Sequence, residues 1–292
     1  MKDFLRKRWS WIAILVIVVV PYVTLMALMS RKPDVPAVRQ DAAGTVGRPF
    51  ISMLVDVMDA QLENFGGWVP NDLPFFPGWW LDNQANFQLG VLQGVRHATR
   101  VVRDNLSRQR TSDAVNRDAD LAYTSFNNDP EKWVFPSAEG QFTNGTTALM
   151  RFKRELGKTA EFFPRADNLI QLVTPLSSEL GGVTTRLLQN QSGETPWLRV
   201  DDNFYFAQGY AFALAGICRA VKVDFAQVLS EKHGQEILDL ILESLERSQF
   251  EPWIVTNGSK DGIFANHSAN LKGYLDDARQ KLNSLIAILR QG

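Results

Sequence analysis

The chain is poor in the residues that build most metal and redox sites. It contains one cysteine, Cys218, and three histidines, His97, His233 and His267, in 292 residues. A single cysteine excludes a disulfide within the chain and argues against a small disulfide-stapled module. The histidines lie far apart, and none has a second His or Cys at helical spacing. Glycine-rich phosphate loops, paired cysteines and hydrolase motifs are also missing, so the sequence predicts no metal, no cofactor and no catalytic residue.

Dense positive charge is missing as well. The chain carries 31 basic and 32 acidic residues, which gives a formal net charge of −1. Nucleic-acid binding depends on clustered Lys and Arg that neutralise phosphates. The sequence has no such cluster, and we expect no nucleic-acid partner.

Charge is absent altogether from Trp9 to Ser30, a run of 22 residues. A helix of ~20 apolar residues spans the bilayer core, and such a helix tolerates an internal proline such as Pro21. A cleaved signal peptide is the alternative, but its apolar region is only about 7–15 residues and ends in a small-x-small site. A buried core helix seldom runs this long without a polar face. We expect an uncleaved transmembrane helix over residues 9–30, in contact with the lipid bilayer.

The charges that flank this stretch predict its orientation. The preceding segment, residues 1–8, is basic, and the positive-inside rule then places it in the cytoplasm. Four basic residues oppose one acidic residue there: Lys2, Arg6, Lys7 and Arg8 against Asp3. Residues 31–47 are rich in Pro, Ala and Gly and predict a flexible linker with a reach of ~20 Å. We therefore expect a single-pass protein of the bacterial inner membrane with a periplasmic C-terminal domain.

Apolar residues beyond the linker recur at three- and four-residue steps, the spacing of amphipathic helices, and no segment alternates with a period of two. The predicted class is all-α. About eight helices are expected, near 49–65, 83–108, 113–127, 145–163, 165–190, 202–223, 232–249 and 268–290. Two long breaks, 68–81 and 130–144, are rich in Trp, Phe and Pro.

The second half of the chain resembles the first at an offset of about 120 residues. Any two amphipathic helices can be aligned, but the order of the matches favours an internal duplication with two four-helix units, 48–163 and 164–292. The matches pair Asp82 with Asp201, Phe87 with Phe206, Gly90 with Gly209, Trp133 with Trp253, and Gly140-x-Phe142-x-Asn144 with Gly262-x-Phe264-x-Asn266.

The Trp-rich breaks carry the only unusual side-chain chemistry. Aromatic rings next to carboxylates and amides can bind sugars or peptides. The candidate ligand-binding residues are Trp68, Trp79, Trp80, Asp82, Asn83, Trp197, Asp201, Asp202 and Asn203. The competing interpretation is structural: the aromatic residues anchor long loops, and the aspartates cap helices. Asp82 and Asp201 would suit glycoside hydrolysis if their carboxyl groups lay ~5–10 Å apart.

Three segments resemble a known family: GGWVPND (66–72), FFPGWWLDNQANFQLG (75–90) and PEKWVFPSAEGQFTNG (130–145). The family comprises uncharacterised proteobacterial inner-membrane proteins with a single span. The resemblance covers nearly the whole chain. It implies an inner-membrane location and assigns no activity.

We therefore expect a non-enzymatic scaffold or interaction protein of the cell envelope, which binds the bilayer through residues 9–30 and an envelope protein through its helical body. The alternative is a binding module or hydrolase that acts on peptidoglycan or lipid through the Trp-rich breaks. The sequence alone assigns neither a ligand nor an oligomeric state.

Overall fold

The computed structural model describes residues 2–39, 44–110, 112–196, 199–252, 254–258 and 265–291, with the side chains of the first helix described from Leu15 onward. All regular structure in these residues is helical, which confirms the predicted class. Ten helices follow one another: α1 (Lys2–Met29), α2 (Arg48–Leu62), α3 (Asp82–Val101), α4 (Arg117–Phe126), α5 (Ala138–Glu155), α6 (Ala166–Ser192), α7 (Val200–Asp224), α8 (Ala226–Glu231), α9 (Gln235–Arg247) and α10 (His267–Arg290).

Most helices lie close to their predicted positions, because buried apolar residues at three- and four-residue steps define their inner faces. A short 3-10 helix, Pro77–Trp80, precedes α3, and a π-helical turn, Val102–Leu106, extends it. The short helix α8 was not predicted. Helix α7 is buried on almost every side, from Phe204 to Val221, and forms the centre of the body.

The prediction for α5 is wrong at both ends. The helix was expected over 145–163 but begins at Ala138, because the Ser137 side chain accepts a hydrogen bond from the Gly140 amide and caps the helix. It ends at Glu155, before Gly157 turns the chain at a φ of 81°. Residues 140–144 therefore belong to a helix and not to a break. In the predicted counterpart, Asn266 caps α10, whereas Asn144 lies within α5; residues 262–264 lie outside the described residues.

Helix contacts of the first half recur in the second. Helix α2 packs against α3 and α5, and α4 packs against α3 and α5; in the same way α6 packs against α7 and α10, and α9 packs against α7 and α10. Between the halves, α2 packs against α7 and α6 packs against α3. A single hydrophobic core runs through both halves.

The closest approach between the halves is the crossing of α3 and α7. A Cβ atom added at Gly90 would lie 2.1 Å from the Phe206 carbonyl oxygen, and one added at Gly209 would lie 1.9 Å from the Phe87 carbonyl oxygen. The two contacts are reciprocal, because the same offset of 119 residues relates Phe87 to Phe206 and Gly90 to Gly209. Asn86 meets Asp202 and Gly94 meets Ala213, so the two helices run in the same direction and their N-terminal ends lie side by side.

Residues 31–39, which we call the strap, are not the flexible linker that the composition predicts. Their backbone lies against the body: the Arg219 guanidinium donates to the carbonyl oxygens of Val35 (2.7 Å) and Pro36 (3.1 Å). The Lys32 ammonium donates to the Gln208 side chain, and Asn64 Nδ2 donates to the Arg31 carbonyl oxygen at 2.8 Å. Sequence patterns could not predict these contacts, because the partners are remote in sequence. Residues 40–43 lie outside the described residues.

Helix α1 exposes most of its described side chains. The six residues from Leu15 to Val20 are all exposed, whereas Met29 at the C-terminal end is buried. As far as their residues are described, none of the helices has the length and apolar character needed to cross a bilayer. Residues 9–14, which form part of the predicted span, lie outside the described side chains.

Candidate functional site

An exposed apolar loop, residues 73–80, precedes α3, and we call it the aromatic loop. Its apolar side chains point away from the core: Leu73, Phe75, Phe76, Trp79 and Trp80 are all exposed. The Trp79 and Trp80 rings meet edge to face, with centroids 4.7 Å apart. Phe75 is 89% exposed and has a left-handed backbone φ of 81°, a strained conformation for a bulky residue.

The aromatic loop lies next to α1. The Tyr22 hydroxyl donates to the Phe75 carbonyl oxygen at 3.3 Å. Met29, near the C-terminal end of α1, packs against two glycines of the body. A Cβ atom added at Gly66 would lie 2.9 Å from the Met29 side chain, and one added at Gly78 would lie 3.1 Å from it. The two glycines thus let the body approach the end of α1 closely.

A second exposed apolar loop, which contains Trp133, Val134 and Phe135, is fixed close to the first. Asn71 Nδ2 donates to the Lys132 carbonyl oxygen at 3.0 Å and to the Glu139 carboxylate at 2.9 Å. The two Trp-rich breaks therefore form neighbouring parts of one surface.

The sequence-predicted tryptophans do not form one site. Trp68 is buried, its indole N–H donates to the Pro130 carbonyl oxygen at 2.8 Å, and its ring meets Phe142 edge to face at 4.8 Å. Trp68 thus holds the second break against the core, as the structural interpretation expects. Of the described candidate tryptophans, Trp79 and Trp80 are exposed, and Trp197 lies outside the described residues.

The predicted aspartates do come together, at the adjacent N-terminal ends of α3 and α7. Asn86 Nδ2 joins them, because it donates to the Asp202 carboxylate at 2.8 Å and to the Asp82 carbonyl oxygen at 3.0 Å. Burial, followed by the negative charge of Asp82, raises the pKa of Asp201. Burial also raises the pKa of Asp202, with further contributions from the charges of Asp201 and Asp82. We call Asp82, Asp201 and Asp202 the acidic cluster.

The prediction that the three aspartates cap helices is wrong, because Leu81 and Arg199 hold the N-cap positions of α3 and α7 and neither helix has a side-chain cap. Asp82 is not an N-cap: Leu81 holds that position, and the Asp82 carboxylate accepts from the adjacent Asn83 amide at 2.9 Å. Asn203 Nδ2 donates to the Asn190 side chain at 2.9 Å and so joins α7 to α6. The Asn83 side chain is exposed beside Asp82.

A half-buried lysine from the strap packs against Tyr205 of α7. The Lys32 ammonium stands 4.1 Å from the centre of the Tyr205 ring, and burial lowers its pKa to about 8 against the opposing effect of Glu251. Burial, then the charges of Asp201 and Glu251, raises the pKa of Tyr205 to about 12. Lys32 and Glu251 line a pocket of about 260 Å³.

The acidic cluster can accept hydrogen bonds from a polar ligand. Burial raises the pKa of the Cys218 thiol to about 12, so this side chain is a poor nucleophile. Within the described ranges, no group of three or more His, Cys, Asp or Glu side chains could hold a metal ion.

Sequence reasoning missed several residues of this region. Asn86 had a usable signal, because it lies one helical turn after Asp82 and therefore on the same face of α3. The contact between Lys32 and Tyr205 had no such signal, because 173 positions of sequence (205−32) separate the two residues.

Over the described residues the protein is all-helical, with an exposed aromatic loop directly before a cluster of aspartates. Residues 4–193 and 188–292 match the model of a family described as uncharacterized protein conserved in bacteria (DUF2333), and the chain belongs to this family. The match confirms that the family is uncharacterised and bacterial, and it does not address the expected membrane span. No curated protein and no solved structure matches the chain.

Proposed function

We propose that this protein is a non-enzymatic interaction protein of the bacterial cell envelope, anchored by one transmembrane helix in the inner membrane. The observation that carries the proposal is the exposed surface of α1, where the residues from Leu15 to Val20 are each 44–69% exposed. A contiguous apolar surface of this kind indicates an interaction site. The uncharged run from Trp9 to Ser30 has the length that a bilayer requires.

The basic segment 1–8 lies on the cytoplasmic side, and the helical body, residues 48–292, lies in the periplasm. Support for this orientation comes from the charge difference across the apolar run. The body binds a second envelope protein, for which the exposed Trp133, Val134 and Phe135 are suitable contacts.

The body arose by internal duplication of a four-helix unit. Support comes from the recurring helix contacts of the two halves and from the reciprocal contacts of Gly90 and Gly209 at the α3–α7 crossing. When two copies of a duplicated unit pack around a pseudo-two-fold axis, contacts between them come in reciprocal pairs, and the contacts of Gly90 with Phe206 and of Gly209 with Phe87 fit this arrangement.

Topology and anchoring are tested together in cells. Alkaline phosphatase fused after residue 292 is expected to be active, and a fluorescent protein at the same place is expected to be dark. The protein is expected to stay in the membrane fraction after alkaline carbonate extraction. In an Ile17→Lys variant this retention is expected to fall, because a central lysine costs about 2.5–3.5 kcal/mol on insertion.

Leu188→Lys, at an exposed apolar position on α6, is the matched control and leaves extraction unchanged. Release of the unmodified protein by carbonate would contradict the anchor. Bright fluorescence without phosphatase activity would contradict the orientation.

A second candidate function is the binding of cell-wall glycan or peptidoglycan fragments. The observation that favours it is the position of the acidic cluster at the start of α3, directly after the exposed Trp79 and Trp80. Calorimetric titration of the purified protein with soluble peptidoglycan fragments tests it. Binding that an Asp202→Asn variant loses would support this function, and the absence of heat with the unmodified protein would exclude it for these ligands.

A further inference from the structure

We infer that the aromatic loop, residues 73–80, is inserted in the outer leaflet of the bilayer that holds α1, so that the helical body rests on the membrane surface. The inference rests on the proposed membrane anchor and adds a second, independent lipid contact. Its occupant is the acyl-chain and headgroup region of a bilayer.

The position of the loop along α1 is the first argument. Its Phe75 carbonyl oxygen accepts from the Tyr22 hydroxyl, and Tyr22 precedes Met29 by seven residues. At a rise of ~1.5 Å per residue, the contact lies ~10 Å back along the helix from its C-terminal end. If residues 9–30 cross the membrane, the loop reaches below the membrane surface.

The composition of the loop is the second argument. The sequence Leu-Pro-Phe-Phe-Pro-Gly-Trp-Trp contains no charged side chain. Five of its eight residues have large apolar side chains that are exposed, and two of these five are tryptophans. Tryptophan is enriched at the membrane–water interface, where its ring is apolar and its N–H can still bond.

The backbone of the loop is the third argument, because polar backbone groups in lipid need partners within the protein. The Phe76 amide donates to the Leu73 carbonyl oxygen at 3.1 Å, and the Trp79 amide donates to the Phe76 carbonyl oxygen at 3.2 Å. Pro74 and Pro77 have no N–H to satisfy. The Tyr22 hydroxyl satisfies the Phe75 carbonyl, and the same bond gives this hydroxyl a partner within the apolar run.

The attachment of the body to α1 is the fourth argument. Met29 is buried against Gly66 and Gly78, and Asn64 bonds to the first residue of the strap. The loop therefore stays beside α1, and the bilayer that surrounds α1 also meets the loop. A protein partner would have to displace lipid from this position.

The test measures lipid contact at three positions of the full-length protein, each changed to cysteine in a separate variant. Val18→Cys reports on the anchor, Phe75→Cys on the loop, and Leu188→Cys on an exposed apolar position of α6. Each variant is labelled with an environment-sensitive fluorophore and reconstituted in nanodiscs of phosphatidylethanolamine and phosphatidylglycerol, with and without a spin-labelled quencher lipid. The native Cys218 does not interfere, because it is buried.

We expect the quencher lipid to cause a loss of fluorescence at positions 18 and 75 and no loss at position 188. Quenching at 18 without quenching at 75 would overturn the membrane insertion of the loop and leave the anchor in place. Quenching at 75 without quenching at 18 would support the loop contact and contradict the anchor. Because the nanodiscs contain no other protein, a protein partner cannot cause the signal.

A second loop variant, Trp80→Cys, controls for the possibility that a label at the strained Phe75 changes the local structure of the loop. It is expected to lose fluorescence with the quencher lipid as Phe75→Cys does. If both loop positions remain as bright as position 188, the aromatic loop is in water and the inference is wrong.

Discussion

At the scale of single residues, Asp59 links the stability of the body to pH. Burial, with the charges of Glu63 and Asp56, raises the pKa of Asp59 to about 6. The folded protein then binds a proton between about pH 4 and 6 that the unfolded chain does not, so the unfolding free energy falls as pH rises through this window. We expect Asp59→Asn to raise the unfolding free energy at pH 7 by about 1 kcal/mol after allowance for solvent screening, and to have no effect near pH 4. Urea titration in detergent micelles at both pH values measures this difference.

Asp224 provides the contrasting control. Burial also raises its pKa to about 6, but its carboxylate accepts from the backbone amides of Gly47 and Phe50, both at 2.7 Å. Asp224→Asn removes one of these two acceptors, so we expect destabilisation by about 1–2 kcal/mol at pH 7. If Asp59→Asn and Asp224→Asn changed the unfolding free energy in the same direction at pH 7, this distinction would be wrong.

At the scale of elements, the crossing of α3 and α7 depends on two glycines. Alanine at Gly90 or Gly209 would place a methyl group about 2 Å from a backbone oxygen of the other helix, and the helices would have to separate. We expect each substitution to lower the unfolding free energy by about 3 kcal/mol or more. The midpoint of urea unfolding reports the change.

Gly182→Ala in α6 is the matched control, because an added Cβ there meets nothing within 4 Å. This exposed mid-helix substitution is expected to stabilise the protein by about 0.5–1 kcal/mol through helix propensity. A Gly90→Ala variant as stable as Gly182→Ala would show that the crossing tolerates a side chain.

The elements also show what sequence patterns could predict. Helices α2, α3, α6, α7, α9 and α10 were predictable because their inner faces repeat at the helical period. The start of α5 was missed although Ser137 is a good capping residue, since the Trp and Pro residues before it suggested a longer break. The different roles of Trp68 and Trp79 could not be predicted, because burial depends on tertiary contacts such as that of Trp68 with Pro130.

At the scale of the whole molecule, the strap fixes the body relative to α1. A spin label at Ala37, an exposed position of the strap, is therefore expected to be immobilised on the nanosecond timescale in nanodiscs. Arg219→Ala removes the hydrogen bonds to Val35 and Pro36, and we expect it to increase the label mobility in electron paramagnetic resonance spectra.

Lys222→Ala is the control for this experiment. It lies one helical turn further along α7, and its ammonium bonds to Asp239 at 2.6 Å on α9. The label at position 37 should stay immobilised in this variant. A mobile label in the unmodified protein would mean that residues 31–39 form a free tether after all.

The strap has a consequence for the order in which the chain can fold. Lys32 meets Gln208 across 176 residues of sequence, and Gly47 meets Asp224 across 177. Contacts of such long range form late, because a large loop must close first. During synthesis α1 and α2 emerge well before α7 exists to receive the strap and cap α2. The N-terminal region therefore cannot make these contacts until about three quarters of the chain has been made (residue 224 of 292), so they belong to the last steps of folding.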